Sequence, residues 1–210
     1  MSTPSTGDPI EETVALAGRD LSIVRPRDAS ALIDEDTFGD DEFLPYWAEL
    51  WPSGVALARE VLSRSLRGAR VLDLGAGLGT ASVAAALAGG RVLATDWSAD
   101  ALRFTAANAE RNGTTVATLH CDWSRPGPLL DRAPFDLVLA ADVAYERRNI
   151  AVLAELLPRL TSEVWLADPG REFLPLLLEA LAPEWDDDVR DAPDTPRMTV
   201  HRLRRRVAGP

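Results

Sequence analysis

The feature that most narrows what this chain can fold into is a glycine-rich turn, Val71-Leu72-Asp73-Leu74-Gly75-Ala76-Gly77-Leu78-Gly79-Thr80. An apolar segment enters it and an Ala-rich segment leaves it. That is the pattern of a strand turning sharply into a helix. Glycines permit the tight turn and let a ligand approach the backbone closely, and the helix start presents N–H groups that lack an internal partner.

From residue 70 the hydrophobic pattern alternates between strand and helix. Strands are predicted at 70–74, 91–95, 114–120, 135–140 and 163–167. Helices are predicted near 80–88, after Ser98 with an inner stripe of Leu102, Ala106 and Ala109, and at 147–160 and 172–181. Alternation of this kind implies right-handed crossovers and a parallel sheet. Two last strands, 185–189 and 198–203, are joined by a short Pro/Asp loop that suits an antiparallel hairpin. The expected fold is α/β, a Rossmann-like seven-stranded mostly parallel sheet with an antiparallel edge hairpin and helices on both faces. Upstream, Val55, Ala58, Val61, Leu62 and Leu66 fall at helical spacing after Pro52, and Gly68 is read as the stop. A short strand is read at 21–24. Residues 1–20 are read as a mobile tail and 21–210 as a single domain. The acidic stretch 34–42 (DEDTFGDDE) reads as a solvated segment.

Composition excludes several classes. The net charge of −11 lacks the basic face that phosphate binding needs, so no nucleic-acid partner is expected. The one basic cluster, Arg202, Arg204, Arg205 and Arg206, reads as a solvated end. No apolar run approaches the ~20 residues of a membrane span, and the start of the chain lacks the pattern of a signal peptide. A cytoplasmic monomer is expected. One cysteine, Cys121, and two histidines, His120 and His201, leave no metal site in view. Cys121 reads as a small buried group and both histidines as structural.

Dinucleotide folds want G-x-G-x-x-G with a pyrophosphate over the helix end. Here the spacing is G-x-G-x-G, with Thr80 in the sixth position. Asp73 would repel a diphosphate but suits the ammonium of a methionine moiety. The reading is therefore S-adenosylmethionine (SAM) rather than NAD. Asp96 ends the second strand, where a carboxylate accepts from ribose hydroxyls, and Trp97 follows it. After the third strand, Asp122 is placed to accept from an adenine amino group and Trp123 to pack on the ring. Asp142 and Tyr145 leave the fourth strand at the same mouth as Gly77 and Asp96. Trp47 is assigned to packing. Trp51, beside Pro52 at a helix start, has core packing as its competing reading.

These residues resemble the class I SAM-dependent methyltransferases. More narrowly, they resemble the seven-β-strand protein lysine methyltransferases, in the branch acting on the electron transfer flavoprotein beta subunit. The matching stretches are PYWAELWPSG (45–54), VLDLGAGLGT (71–80), Asp96, Asp122-Trp123, ADVAY (141–145) and DPGR (168–171). The resemblance implies that Trp51, Gly75, Ala76, Gly77, Asp96, Trp123 and Ala141 contact SAM, and that Asp142 and Tyr145 line the methyl-acceptor site. It implies an N-methyltransferase acting on a lysine side chain of a protein substrate. The alternatives are a small-molecule methyltransferase, nicotinamide-like or with another N, O or S acceptor, and a non-catalytic SAM-binding module.

Overall fold

The computed structural model describes residues 9–16, 18–29, 45–192, 195 and 197–206. The acidic stretch 34–42 lies outside the described residues. A seven-stranded sheet forms the centre. Its strands are β3 (Arg70–Leu74), β4 (Arg91–Asp96), β5 (Ala117–His120), β6 (Leu137–Ala141), β7 (Glu163–Asp168), β8 (Trp185–Asp191) and β9 (Thr199–Arg205), in the order β5-β4-β3-β6-β7-β9-β8. The first five in chain order pair in parallel, and β9 reverses against β7 and β8. The chain leaves β3 toward one edge and returns to β6, so the direction of winding switches between these two strands. In such sheets ligands bind outside the carboxyl ends of the strands at the switch.

Alternation along the strands divides the core in two. In β3 and β6, Val71, Leu137 and Leu139 join one apolar cluster, and Leu72, Leu74, Val138 and Ala140 join the other. The first cluster is covered by α1 (Pro52–Leu62), α2 (Thr80–Leu87) and α3 (Ala99–Arg111). The second is covered by α4 (Gly127–Leu130), α5 (Arg147–Leu160) and α6 (Leu174–Leu181). Leu153, Leu156, Leu157 and Leu160 put one stripe of α5 wholly into the core. Each contributes roughly 1.5–3 kcal/mol on burial.

Three expectations are corrected. Residues 10–16 and 18–20 are not a mobile tail. Strands β1 (Ile10–Leu16) and β2 (Arg19–Arg25) form an antiparallel hairpin that turns through Gly18. Its alternating Val14, Leu16, Leu21 and Ile23 enter the first core cluster. The free edge of β2 is completed by two asparagines one turn apart, Asn108 in α3 and Asn112 at its C-terminal cap. The Ser22 N–H donates to the Asn112 amide oxygen at 3.0 Å, and the Val24 N–H donates to that of Asn108 at 2.8 Å. The two amide NH2 groups return bonds to the Ser22 and Val24 carbonyls.

Second, α1 ends at Leu62 rather than at Gly68, because the following segment pairs with the end of α2. The Leu66 N–H donates to the Ala88 carbonyl and the Gly68 N–H to that of Gly89. Third, Arg202 is no solvated end. It is 3% exposed, lies 4.5 Å from the Trp165 ring centroid and pairs with Glu60 of α1. Arg204, Arg205 and Arg206 stay at the surface, paired with Glu163, Glu184 and Asp186. Arg202 and Arg204 share a face of β9, but register sets Arg202 opposite Trp165 within the sheet and Arg204 opposite Glu163 at the exposed start of β7. His201 is held by Asp187 at 2.8 Å.

Asn108 is fully buried and its NH2 also donates to the Leu78 carbonyl at 2.9 Å. Asn108→Ala strands backbone groups at Val24 and Leu78. A loss of about 3 kcal/mol is expected in urea denaturation. Asn112→Ala, at a half-buried position, is expected to cost less.

Candidate functional site

A cleft of about 260 Å³ opens at the carboxyl ends of β3, β4 and β6. Its floor is the turn from β3 to α2. Gly75 and Gly79 both adopt left-handed φ, +77° and +78°. A Cβ on Gly75 would stand 3.0 Å from the Trp123 ring, and one on Gly79 would stand 2.7 Å from the Thr105 side chain. Neither position accepts another residue without displacing a neighbour.

The turn is held by side chains arriving from β4 and α3. The Gly77 N–H donates to Asp96 Oδ2 at 2.9 Å, and its carbonyl accepts from the Thr105 hydroxyl at 2.9 Å. The Ser98 N–H donates to Asp96 Oδ1 at 2.9 Å. Burial pushes the Asp96 carboxyl above the usual range, against the lowering by those backbone bonds. One carboxylate thus fixes both the glycine turn and the start of α3. Asp73 is buried beneath the turn and accepts from the Ser82 hydroxyl at 2.6 Å. Burial raises its carboxyl to about 6.

Trp51, Trp97, Trp123 and Tyr145 line the walls, with Ala76 and Ala141 between them. Trp97 is half-exposed at the rim, and the His120 ring bonds its carbonyl. At the other end Asp142 leaves β6 in left-handed φ, +56°, with its N–H donating to the Ala167 carbonyl at 2.8 Å. That conformation is uncommon outside glycine, and Asp is among the residues that adopt it most readily. It turns the carboxylate into the cleft. Tyr145 packs edge-on against Tyr46, with ring centroids 5.4 Å apart, and Tyr46 packs against Trp51 at 6.3 Å. Burial drives the Tyr145 phenol well above its ordinary value, so it stays protonated.

Of the residues singled out in the sequence, the cleft brings together Trp51, Asp73, Gly75, Ala76, Gly77, Asp96, Trp97, Trp123, Ala141, Asp142 and Tyr145. Asp122 stays outside. Its side chain accepts from the Ser124 N–H at 2.8 Å, a local turn that holds the carboxylate at the surface and below its usual range. The structure adds Tyr46, Gly54, Thr80 and, above all, Arg171. Arg171 follows β7, the strand next to β6. Its Nε and Nη2 donate to the two Asp142 oxygens at 2.7 and 2.8 Å. The available signal was the cation closing DPGR at the end of a strand beside Asp142. Among the described residues, no three His, Cys, Asp or Glu side chains converge on a metal position.

The Asp73 value gives a sign. Its carboxyl is protonated more readily in the fold than in the unfolded chain, where the reference is 3.8. The native state therefore binds the extra proton between about pH 4 and pH 6, and stability falls as pH rises through that window. The stability gap between Asp73→Asn and the parent is expected to shift in the variant's favour by on the order of 3 kcal/mol across it, read by urea denaturation at each pH. A pH-independent gap would show that Asp73 is not titrating there.

Among solved structures, the chain resembles the ribosomal protein L11 methylase of Lactobacillus delbrueckii subsp. bulgaricus, with a TM-score of 0.61 and 24% identity over 93% of this chain and 98% of that one. It also resembles the Thermus thermophilus 16S rRNA N2 G1207 methyltransferase RsmC, described in complex with AdoMet and guanosine, with a TM-score of 0.67 and 18% identity over 94% of this chain and 51% of that one. These likenesses establish the Rossmann-like methyltransferase fold. In sequence, the chain is 35% identical over 136 residues to the electron transfer flavoprotein beta subunit lysine methyltransferase of Xenopus laevis, covering 60% of this chain and 53% of that protein. It is 33% identical over 143 residues to the Homo sapiens protein of the same name, covering 60% and 50%. It is 33% identical over 122 residues to the protein N-lysine methyltransferase METTL21A of Danio rerio, covering 55% and 56%. The chain thus spans about half the length of these curated relatives. The model of one family, described as lysine methyltransferase, matches residues 45–165, which contain the glycine turn, Asp96, Asp142 and Tyr145. The chain belongs to the lysine methyltransferase family.

Proposed function

We propose that this protein transfers the methyl group of SAM to the side-chain nitrogen of a lysine in a protein substrate. The observation that carries the proposal is Asp142. A left-handed backbone, uncommon outside glycine, aims a carboxylate into a cleft whose floor is a glycine turn. Family membership and the names of the relatives support the choice of lysine. The cleft fits the cofactor in three respects. Its floor excludes side chains at Gly75, Asp96 stands buried at the end of β4, and indoles of Trp97 and Trp123 offer flat apolar walls.

Trp51, Gly75, Ala76, Gly77, Asp96, Trp97, Trp123 and Ala141 would hold the cofactor, with Asp96 accepting from ribose hydroxyls and Asp73 facing the ammonium. When bound, SAM supplies an electrophilic methyl on a cationic sulfur. The chain's own residues do the rest by placement, and alignment of reacting groups supplies much of the rate. A lysine amine, with a free pKa of ~10.4, must shed a proton before it attacks. Asp142 stabilises the charged amine, so its part is to dock and orient it rather than to remove the proton. Tyr145, held protonated, orients the nitrogen or walls the channel and does not serve as a base. The proton leaves to water.

Incubation with methyl-labelled SAM and a lysate of the protein's own cells is expected to label lysine in a protein band, located by mass spectrometry. Label on small molecules alone would overturn the choice of acceptor. Asp142→Ala is expected to lower methyl transfer by on the order of 100-fold or more, while calorimetry shows SAM affinity within about two-fold of the parent. Equal loss of both would remove Asp142 from the acceptor site.

A further inference from the structure

The carboxylate assigned to the acceptor is already occupied. Both Asp142 oxygens are taken by one guanidinium in a two-pronged ion pair, at 2.7 and 2.8 Å, and the Asp142 side chain is only 8% exposed. A planar fork on a carboxylate is the strongest geometry available to such a pair. A lysine ammonium entering the cleft therefore meets a site whose charge is cancelled.

The neighbourhood is arranged so that the guanidinium can leave. Arg171 is 36% exposed, and its guanidinium lies 5.7 Å from the Trp51 ring centroid. Its backbone is anchored independently of the side chain, because the Gly170 and Arg171 N–H groups both donate to Asp168 Oδ1, at 2.7 and 2.6 Å. The second oxygen of that same carboxylate, Asp168 Oδ2, is buried and has no hydrogen-bond partner. A buried carboxylate oxygen without a donor is costly. Here it lies on the residue that already grips the Arg171 main chain, and Asp168 and Arg171 attract one another across the loop.

We propose that Arg171 is an internal stand-in for the acceptor's ammonium: it neutralises Asp142 until a cationic side chain displaces it, and the freed guanidinium then moves to Asp168 Oδ2. The inference rests on the reading of Asp142 as the acceptor's carboxylate. Two carboxylates and one arginine become two carboxylates and two cations, so the loaded site is electrically satisfied only when the acceptor is charged. A neutral acceptor gains nothing by the exchange. Arg171 is thus a positioning residue that sets acceptor charge, at the expense of apparent affinity, since the site is open only for the fraction of time Arg171 is away. The aromatic rings of Tyr46, Trp51 and Tyr145 would wall the acceptor's alkyl stem.

The test uses n-butylammonium as a lysine side-chain probe, with 1-butanol as its neutral counterpart, titrated calorimetrically into the full chain loaded with S-adenosylhomocysteine at constant ionic strength. Arg171→Ala and Arg171→Met, the second keeping an apolar stem against Trp51, are expected to bind butylammonium at least about ten-fold more tightly than the parent, with butanol unchanged. Adding Asp142→Asn is expected to erase that gain. Asp168→Asn alone is expected to weaken butylammonium binding, because the displaced guanidinium loses its second carboxylate. Unchanged or weaker butylammonium binding in both Arg171 variants would overturn the stand-in role, and an Asp168→Asn variant matching the parent would overturn the exchange. S-adenosylhomocysteine binding separates the two levels. If the parent chain fails to bind it, the SAM-dependent reading itself falls. If every variant binds it while the Arg171 variants gain nothing, only the stand-in falls.

Discussion

Gly77 is gripped at both of its backbone polar groups, by Asp96 from β4 and by Thr105 from α3, and the rest of the site depends on that grip. A loop with three left-handed glycines has much conformational freedom to lose on folding. Left to itself it would sample many shapes, and few would present a clear floor to a ligand. The two side chains, with Asn108 on the Leu78 carbonyl, confine it before anything binds. Preorganisation of this kind lowers the ordering cost that binding would otherwise meet. The price is a buried carboxylate at Asp96, offset by the backbone N–H groups that converge on it.

At the opposite end of the cleft the logic is electrostatic rather than conformational. Asp142, Asp168 and Arg171 come from the ends of two adjacent parallel strands, β6 and β7, and so are brought together by sheet register. Ala141 stands opposite Ala167 in that ladder, which sets Asp142 beside Asp168. Two carboxylates on neighbouring strand ends, both shielded from water, repel one another, and Asp168 is raised first by burial and further by Asp142. One arginine spans them. The charge balance of the acceptor end is therefore a property of three residues.

Much of this was readable in the chain. Helix α5 lies at 147–160, the range expected from the alternation of strand and helix, and an amphipathic helix of that length carries its own period. The strand ends Asp96 and Asp142 were legible because a parallel sheet sends all such ends to one mouth. What escaped notice depended on particular pairings rather than on residue type. Strand β1 is half-exposed, and an Ile-Glu-Glu-Thr-Val run signals a strand only once β2 and α3 are known to lie beside it. The arginines of β9 read as solvent-loving by composition, yet register aimed Arg202 at Trp165. Asp122 looked like its neighbours in the site, but its carboxylate is taken for local use by the Ser124 N–H. Arg171 was passed over because a reading built on carboxylates and aromatic rings had no place for a cation.

The asparagine brace on β2 has an effect on how this protein is free to vary. Asn108 joins the hairpin to the glycine loop, yet the bonds its side chain makes there go to main chain, at Val24 and at Leu78. Main-chain groups are the same for almost any residue. The side chains at 22 and 24 are thus released from any duty toward the loop, and drift there leaves the support intact. The segment of chain matched by the family begins at residue 45, and the hairpin lies ahead of it. A support of this kind can persist through divergence while leaving almost no trace in the letters of the strand it supports.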